Sequence, residues 1–176
     1  MKQLFFVTGN DNKAREAADV LGAEIKQVKM DLDEVQSMDL RQIVECKVRQ
    51  AYAKMQEPII VEDVSLEVKK WNGFPGPFIK WLHERMGYEE FCSILGEDRR
   101  ADWRVMYGYY DGEKLVVAEA CVSGTIAQKP RVGGWGFDVI FIPDGQTKTL
   151  GELGPKEKIP YSARAKALQE LRSLLN

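Results

Sequence analysis

Leu4-Phe5-Phe6-Val7 is a short, apolar, aromatic-rich run, and a polar turn and a helix-spaced apolar set follow it at once. The run reads as a buried strand. After Thr8-Gly9-Asn10-Asp11-Asn12-Lys13, the residues Ala14, Ala17, Ala18 and Leu21 recur at i, i+3, i+4 and i+7, one face of a helix closed by Gly22. Any fold for this chain must therefore carry a strand straight into a helix through this turn. Gly9 lets the backbone approach a ligand. The N–H groups of the helix start, with Lys13 and with Glu16 one turn on, suit an anion such as phosphate. A capped turn with a surface lysine accounts for the same residues.

A second strand-like run, Pro58-Ile59-Ile60-Val61, ends in Glu62-Asp63. Acids at the end of a buried strand are costly unless solvated, paired or bound to a cation. In open α/β sheets, ligands gather beyond strand C-termini. Successive strand residues face opposite ways, so only one of the two acids points into a given site. The sequence does not say which.

Between these runs, Glu24 to Val28 alternates as a possible strand. Asp31-Leu32-Asp33-Glu34 reads as a solvated acidic loop or as an oxygen ligand for a divalent ion. Asp39 with Gln42 resembles a capping box that opens a long helix. Leu40, Val44, Val48, Ala51 and Met55 form its apolar face, and Ile43 and Lys47 lie on the flank. Lys47 there points into a cleft or snorkels.

Beyond Asp63, Val64–Val68 alternates as a further strand, and Trp71–Phe78 is a Gly/Pro-rich loop. Pro77 suits the first turn of a helix that runs to Met86, with a shorter helix from Tyr88 to Leu95. Trp103–Tyr110, Leu115–Cys121 and Val122–Ala127 read as antiparallel strands, the first two joined at Asp111-Gly112. Gly133-Gly134-Trp135-Gly136-Phe137-Asp138 reads either as a base-stacking platform or as a bulged strand with core rings. It precedes Val139–Ile142 and a turn at Pro143-Asp144-Gly145. Ser162 is placed to cap a last helix, with apolar face Ala167, Leu168, Leu171, Leu174 and Leu175. Arg164 in its first turn opposes the helix dipole and calls for an anion nearby.

Several function classes are excluded. Net charge is −2 with no basic stripe, which argues against a nucleic-acid backbone as partner. No apolar run approaches membrane-spanning length or a secretory leader. The three cysteines, Cys46, Cys92 and Cys121, are scattered and odd in number. They suit neither a disulfide framework nor a zinc site, and they point to a reducing, cytoplasmic compartment. The single histidine, His83, lies in a helical pattern as a helix-surface or packing residue, so the chemistry falls mainly to carboxylates, lysines, arginines and a hard metal ion. The Walker pattern is absent.

Five segments in order resemble the inosine/xanthosine triphosphate pyrophosphatase family. They are Thr8–Lys13 with Glu16, Val61-Glu62-Asp63, Gly73–Trp81, Gly134–Asp138 with Ile140–Gly145, and Glu157-Lys158 leading to Ser162–Leu168. The resemblance implies a single domain over residues 1–176. It implies an α/β fold, an elongated mixed sheet with flanking helices, in two lobes with the nucleotide cleft between them. It implies a cytoplasmic homodimer that uses Mg²⁺ to hydrolyse ITP, dITP or XTP to the monophosphate and pyrophosphate. On this resemblance Thr8, Gly9, Asn10 and Lys13 hold the triphosphate, Lys13 and Asp63 are catalytic, and Glu34 and Asp63 carry the metal. Lys47 contacts phosphate or another part of the nucleotide, and Trp135 stacks on the base. Gly136, Phe137, Asp138, Lys158, Ser162 and Arg164 complete the substrate site. Where the family has Ser-His-Arg, this chain has Ser162-Ala163-Arg164, and Val139 replaces a proline. Val64 stands where Thr or Ser is common. Ala163 removes a side-chain contact to the base, which opens the alternative of a changed or relaxed base preference. A nucleotide-binding protein that does not hydrolyse is the other alternative.

Overall fold

The computed structural model describes residues 3–21 and 25–176, so Gly22 and Glu24 of the expected helix end and second strand lie outside the described residues. The strands are β1 (Leu4–Val7), β2 (Ile25–Val28), β3 (Ile59–Val68), β4 (Pro75–Gly76), β5 (Arg100–Tyr110), β6 (Leu115–Ile126) and β7 (Phe141–Pro143). The helices are α1 (Asp11–Leu21), α2 (Leu40–Met55), α3 (Ile79–Ile94) and α4 (Ala163–Leu175). The strands form one sheet in the order β2-β1-β3-β5-β6-β7, with β4 paired to β3. β1 runs parallel to β2 and β3, whereas β4 and β7 pair antiparallel. The sheet is thus mixed and the fold is α/β, as expected. Among the described residues no helix is long and apolar enough to cross a membrane.

The chain divides into two compact units: Met1–Asp63 with Val105–Ala120 and Arg164–Asn176, and Val64–Arg104 with Cys121–Ala163. In the first, Val44, Val48 and Ala51 of α2 pack with Val7, Ile59, Val61 and Met106 in one buried cluster. α2 comes very close to β5, because a Cβ at Gly108 would stand 2.6 Å from Val44 Cγ1. In the second unit, Trp103 is buried, with Phe137 and Phe141 edge-on to its ring. A Cβ at Gly124 would meet the Ile142 carbonyl at 2.3 Å, so glycine is what allows β7 to pair there.

Several expectations are corrected. Val64–Val68 is not a separate strand but the second half of the ten-residue β3. Likewise Leu115–Cys121 and Val122–Ala127 are one continuous β6. In both cases an unbroken ladder replaces the break inferred from a change in patterning. Val139 ends a 3-10 turn (Gly136–Val139), and the strand begins only at Phe141. Gly133–Phe137 is not a bulged strand. Pro77 precedes α3 rather than opening it, and Gly87, at φ 77°, breaks α3 where the sequence divides it. Asp39 caps α2 by accepting from the Arg41 and Gln42 amides, but its own N–H donates to Ser37 Oγ, so Gln42 does not close the box.

Candidate functional site

The turn between β1 and α1 is built from its own side chains. Thr8 Oγ1 accepts from the Asn10 amide at 3.1 Å. Asn10 Oδ1 accepts from the amides of Asn12 and Lys13 at 3.0 and 3.3 Å, the arrangement of an N-cap. Gln27 on β2 donates to the Thr8 carbonyl and to Asp11. Three of the amides that the sequence offers to an anion are thus already satisfied by Thr8 and Asn10.

Glu62 and Asp63, consecutive on β3, have separate partners. The Glu62 side chain is fully buried and its two oxygens take four donors. Oε1 accepts from Lys13 Nζ at 3.1 Å and from Arg164 Nη2 at 3.1 Å. Oε2 accepts from Arg164 Nε at 2.9 Å and from the Tyr107 hydroxyl. Arg164 Nη1 reaches Glu16 Oε2 at 3.0 Å. Lys13 and Glu16, three apart on α1, share the face that meets this cluster. Burial pushes the Glu62 carboxyl up, but Arg164, Lys13 and the hydrogen bonds outweigh it and hold it down to about 2. Burial likewise works against the Arg164 cation, and Glu62 more than offsets that, so its pKa rises. Burial, with Glu62 beside it, pushes the Tyr107 phenol well up. The anion that Arg164 calls for is therefore the protein's own.

Asp63 pairs with Lys47 instead. Lys47 Nζ lies 2.7 Å from Asp63 Oδ2 and 2.9 Å from Glu34 Oε1. Desolvation opposes the ammonium, yet the two carboxylates raise its pKa on balance. The acidic loop runs along α2: Gln50 exchanges hydrogen bonds with the Asp33 backbone, and Lys54 donates to the Asp31 carbonyl at 2.7 Å. Positions 47, 50 and 54 share a helical face, so the loop is fastened as a strip rather than merely solvated. Among the described residues no three His, Cys, Asp or Glu side chains gather as a metal cage. Glu34 and Asp63 nevertheless hold one cation between them, the ammonium. Two hard carboxylate oxygens converging on one cation have the chemistry to hold a divalent ion.

In the second unit, Asp138 is buried and its Oδ2 lies 3.2 Å from Lys158 Nζ. A Cβ at Gly133 would stand 2.2 Å from the Gly151 carbonyl, so this segment packs backbone on backbone. Phe137 is turned toward Trp103, while Trp135 is half-buried with extended backbone. Ser162, also extended, stands just before α4, the position of a cap, and Ala163 is wholly buried. His83 stacks on Tyr88 with ring centroids 3.7 Å apart. The structure thus groups Lys13, Glu16, Glu62, Tyr107 and Arg164 in one cluster and Glu34, Lys47 and Asp63 in another, both in the first unit. Trp135, Gly136, Phe137, Asp138, Lys158 and Ser162 belong to the second unit. Sequence reasoning passed over Tyr107. The signal that could have found it is Glu62, since a buried acid needs donors.

Fold and clusters together define a mixed-sheet α/β protein with a saturated buried carboxylate next to an acid pair that grips a cation. The chain belongs to the Ham1 family, whose sequence profile matches residues 4–174. It is 37% identical over 174 residues to a dITP/XTP pyrophosphatase of Methanopyrus kandleri, covering 95% of this chain and 93% of that one. It is also 37% identical to inosine triphosphate pyrophosphatase 2 of Trypanosoma cruzi, covering 95% and 89%. A solved Ham1 protein from Coxiella burnetii has the same fold, with a TM-score of 0.86 at 24% identity over 99% of this chain and 98% of that one.

Proposed function

We propose that the chain is a Mg²⁺-dependent nucleoside triphosphate pyrophosphatase that converts ITP, dITP or XTP to the monophosphate and pyrophosphate, as one domain and as a cytoplasmic homodimer. Near-full-length similarity to proteins named dITP/XTP pyrophosphatase supports the reaction class. The observation that carries the metal assignment is the convergence of Glu34 and Asp63 on one cation, while the four donors on Glu62 leave it no room for another.

Mg²⁺ bound by Glu34 and Asp63 would neutralise phosphate charge and polarise the attacking water. Asp63 accepts a proton from the water that attacks the α-phosphorus, and the α–β bridging bond breaks to release pyrophosphate. Lys13 and Lys47 donate to phosphate oxygens. A phosphate at the turn takes over amides that Thr8 and Asn10 now occupy, with Gly9 permitting the approach. Arg164, held by Glu62 and Glu16, fixes the cluster that positions Lys13. Trp135 stacks on the base, and Gly136, Phe137, Asp138, Lys158 and Ser162 line its edge.

The test is pyrophosphate release from a panel of purine triphosphates, with and without EDTA. Turnover of inosine or xanthosine triphosphates that EDTA abolishes is expected, and no turnover of any purine triphosphate with Mg²⁺ overturns the reading. Ala163 favours a second reading, in which the chemistry stays and the base preference shifts. A clear preference for inosine over every other base in the same panel counts against it. Light scattering on the purified chain tests the dimer.

A further inference from the structure

Lys47 is placed as a counter-ion rather than as a surface lysine. Its ammonium touches Glu34 Oε1 and Asp63 Oδ2 at once, and its side chain is only 15% exposed. The backbone positions both acids beside it. Asp63 is fixed in the middle of β3, and Glu34 sits next to Asp33, whose backbone is tied to Gln50 on α2. A divalent ion on the same two oxygens would stand against the ammonium, and like charges at that separation repel strongly in a half-buried setting.

We infer that Lys47 is the internal occupant of the acid pair, and that a divalent cation binds Glu34 and Asp63 only by displacing it. The protein alone then holds metal weakly, and an anion that draws Lys47 away uncovers the pair. The identity of that anion, a triphosphate, rests on the pyrophosphatase reading above. The competition itself rests on the two distances.

Mn²⁺ is the probe, read by the electron paramagnetic resonance signal of the free ion, on the full chain without nucleotide. Lys47→Met should bind Mn²⁺ about tenfold more tightly than the wild type, or better, because the competing charge is gone. Lys47→Gln should do the same and serves if the first variant fails to fold. Lys47→Arg should remain weak. Adding Asp63→Asn to either neutral variant should remove the gain. Unchanged or weaker Mn²⁺ binding in both neutral variants overturns the inference, as does a gain that survives Asp63→Asn. Turnover is not read, so failure of the pyrophosphatase assay leaves this outcome separately decidable.

Discussion

The Arg164 guanidinium lies bidentate on the Glu62 carboxylate, with Nε 2.9 Å from Oε2 and Nη2 3.1 Å from Oε1. Both groups are buried, and 102 residues separate them in the chain. Charge-assisted bidentate pairs of this kind fix orientation as well as energy. This one anchors the first turn of α4 to β3 and leaves Lys13 as the more exposed of the two cations on Glu62.

Acid should unfold the protein through this pair. Glu62 titrates in the folded state at about 2, against an ordinary value of 4.5. Its folded pKa is depressed, so its stabilisation is present above about 4.5 and is lost as pH falls toward 2. The full contribution is on the order of 3 kcal/mol. Denaturant midpoints measured from pH 6 down to pH 2.5 should fall steeply below 4.5, and Glu62→Gln should flatten that slope.

Asp63→Asn should separate chemistry from folding. Asn keeps an acceptor toward Lys47, and Glu34 remains as its counter-charge, so stability should fall by about 1–3 kcal/mol without loss of the fold. On the proposed metal role of Asp63, pyrophosphate release should drop by about 100-fold or more. Near-normal turnover would contradict the assignment of Asp63.

Ala163→His tests the base contact in a crowded place. Ala163 stands where the resemblance places a histidine, and it is wholly buried. An imidazole should therefore cost about 1–3 kcal/mol of stability through overpacking. Thermal melting measures that cost, and the triphosphate panel on the same variant should show a narrower base range. An unshifted melting temperature would show that the pocket has room.

Gly108→Ala should weaken the first unit. The added methyl would stand 2.6 Å from Val44 Cγ1, so α2 must move off β5 or Val44 must leave its rotamer. A loss of about 1–3 kcal/mol in urea unfolding is expected. A control substitution at Gly9, where a Cβ meets nothing within 4 Å, should cost less.

Sequence alone settled what depends on short spacing. Apolar runs marked β1, the start of β3 and the faces of α2 and α4, because burial periodicity is local, although Leu174 of the expected α4 face is exposed where the last turn runs past the core. The strand-to-helix turn was legible for the same reason. Alternation along β3 also required Glu62 and Asp63 to face different ways. Spacing could not say what each would meet. Arg164 and Tyr107 reach Glu62 from 102 and 45 residues away, and Lys47 joins Asp63 to a loop 13 residues before it. Those partnerships arise only when the chain closes, because a buried charge is tolerated only where opposite charge and donors converge, and that convergence is a property of packing. The same holds for the unbroken lengths of β3 and β6, which hydrogen-bonded neighbours extend past the point where side-chain patterning falters.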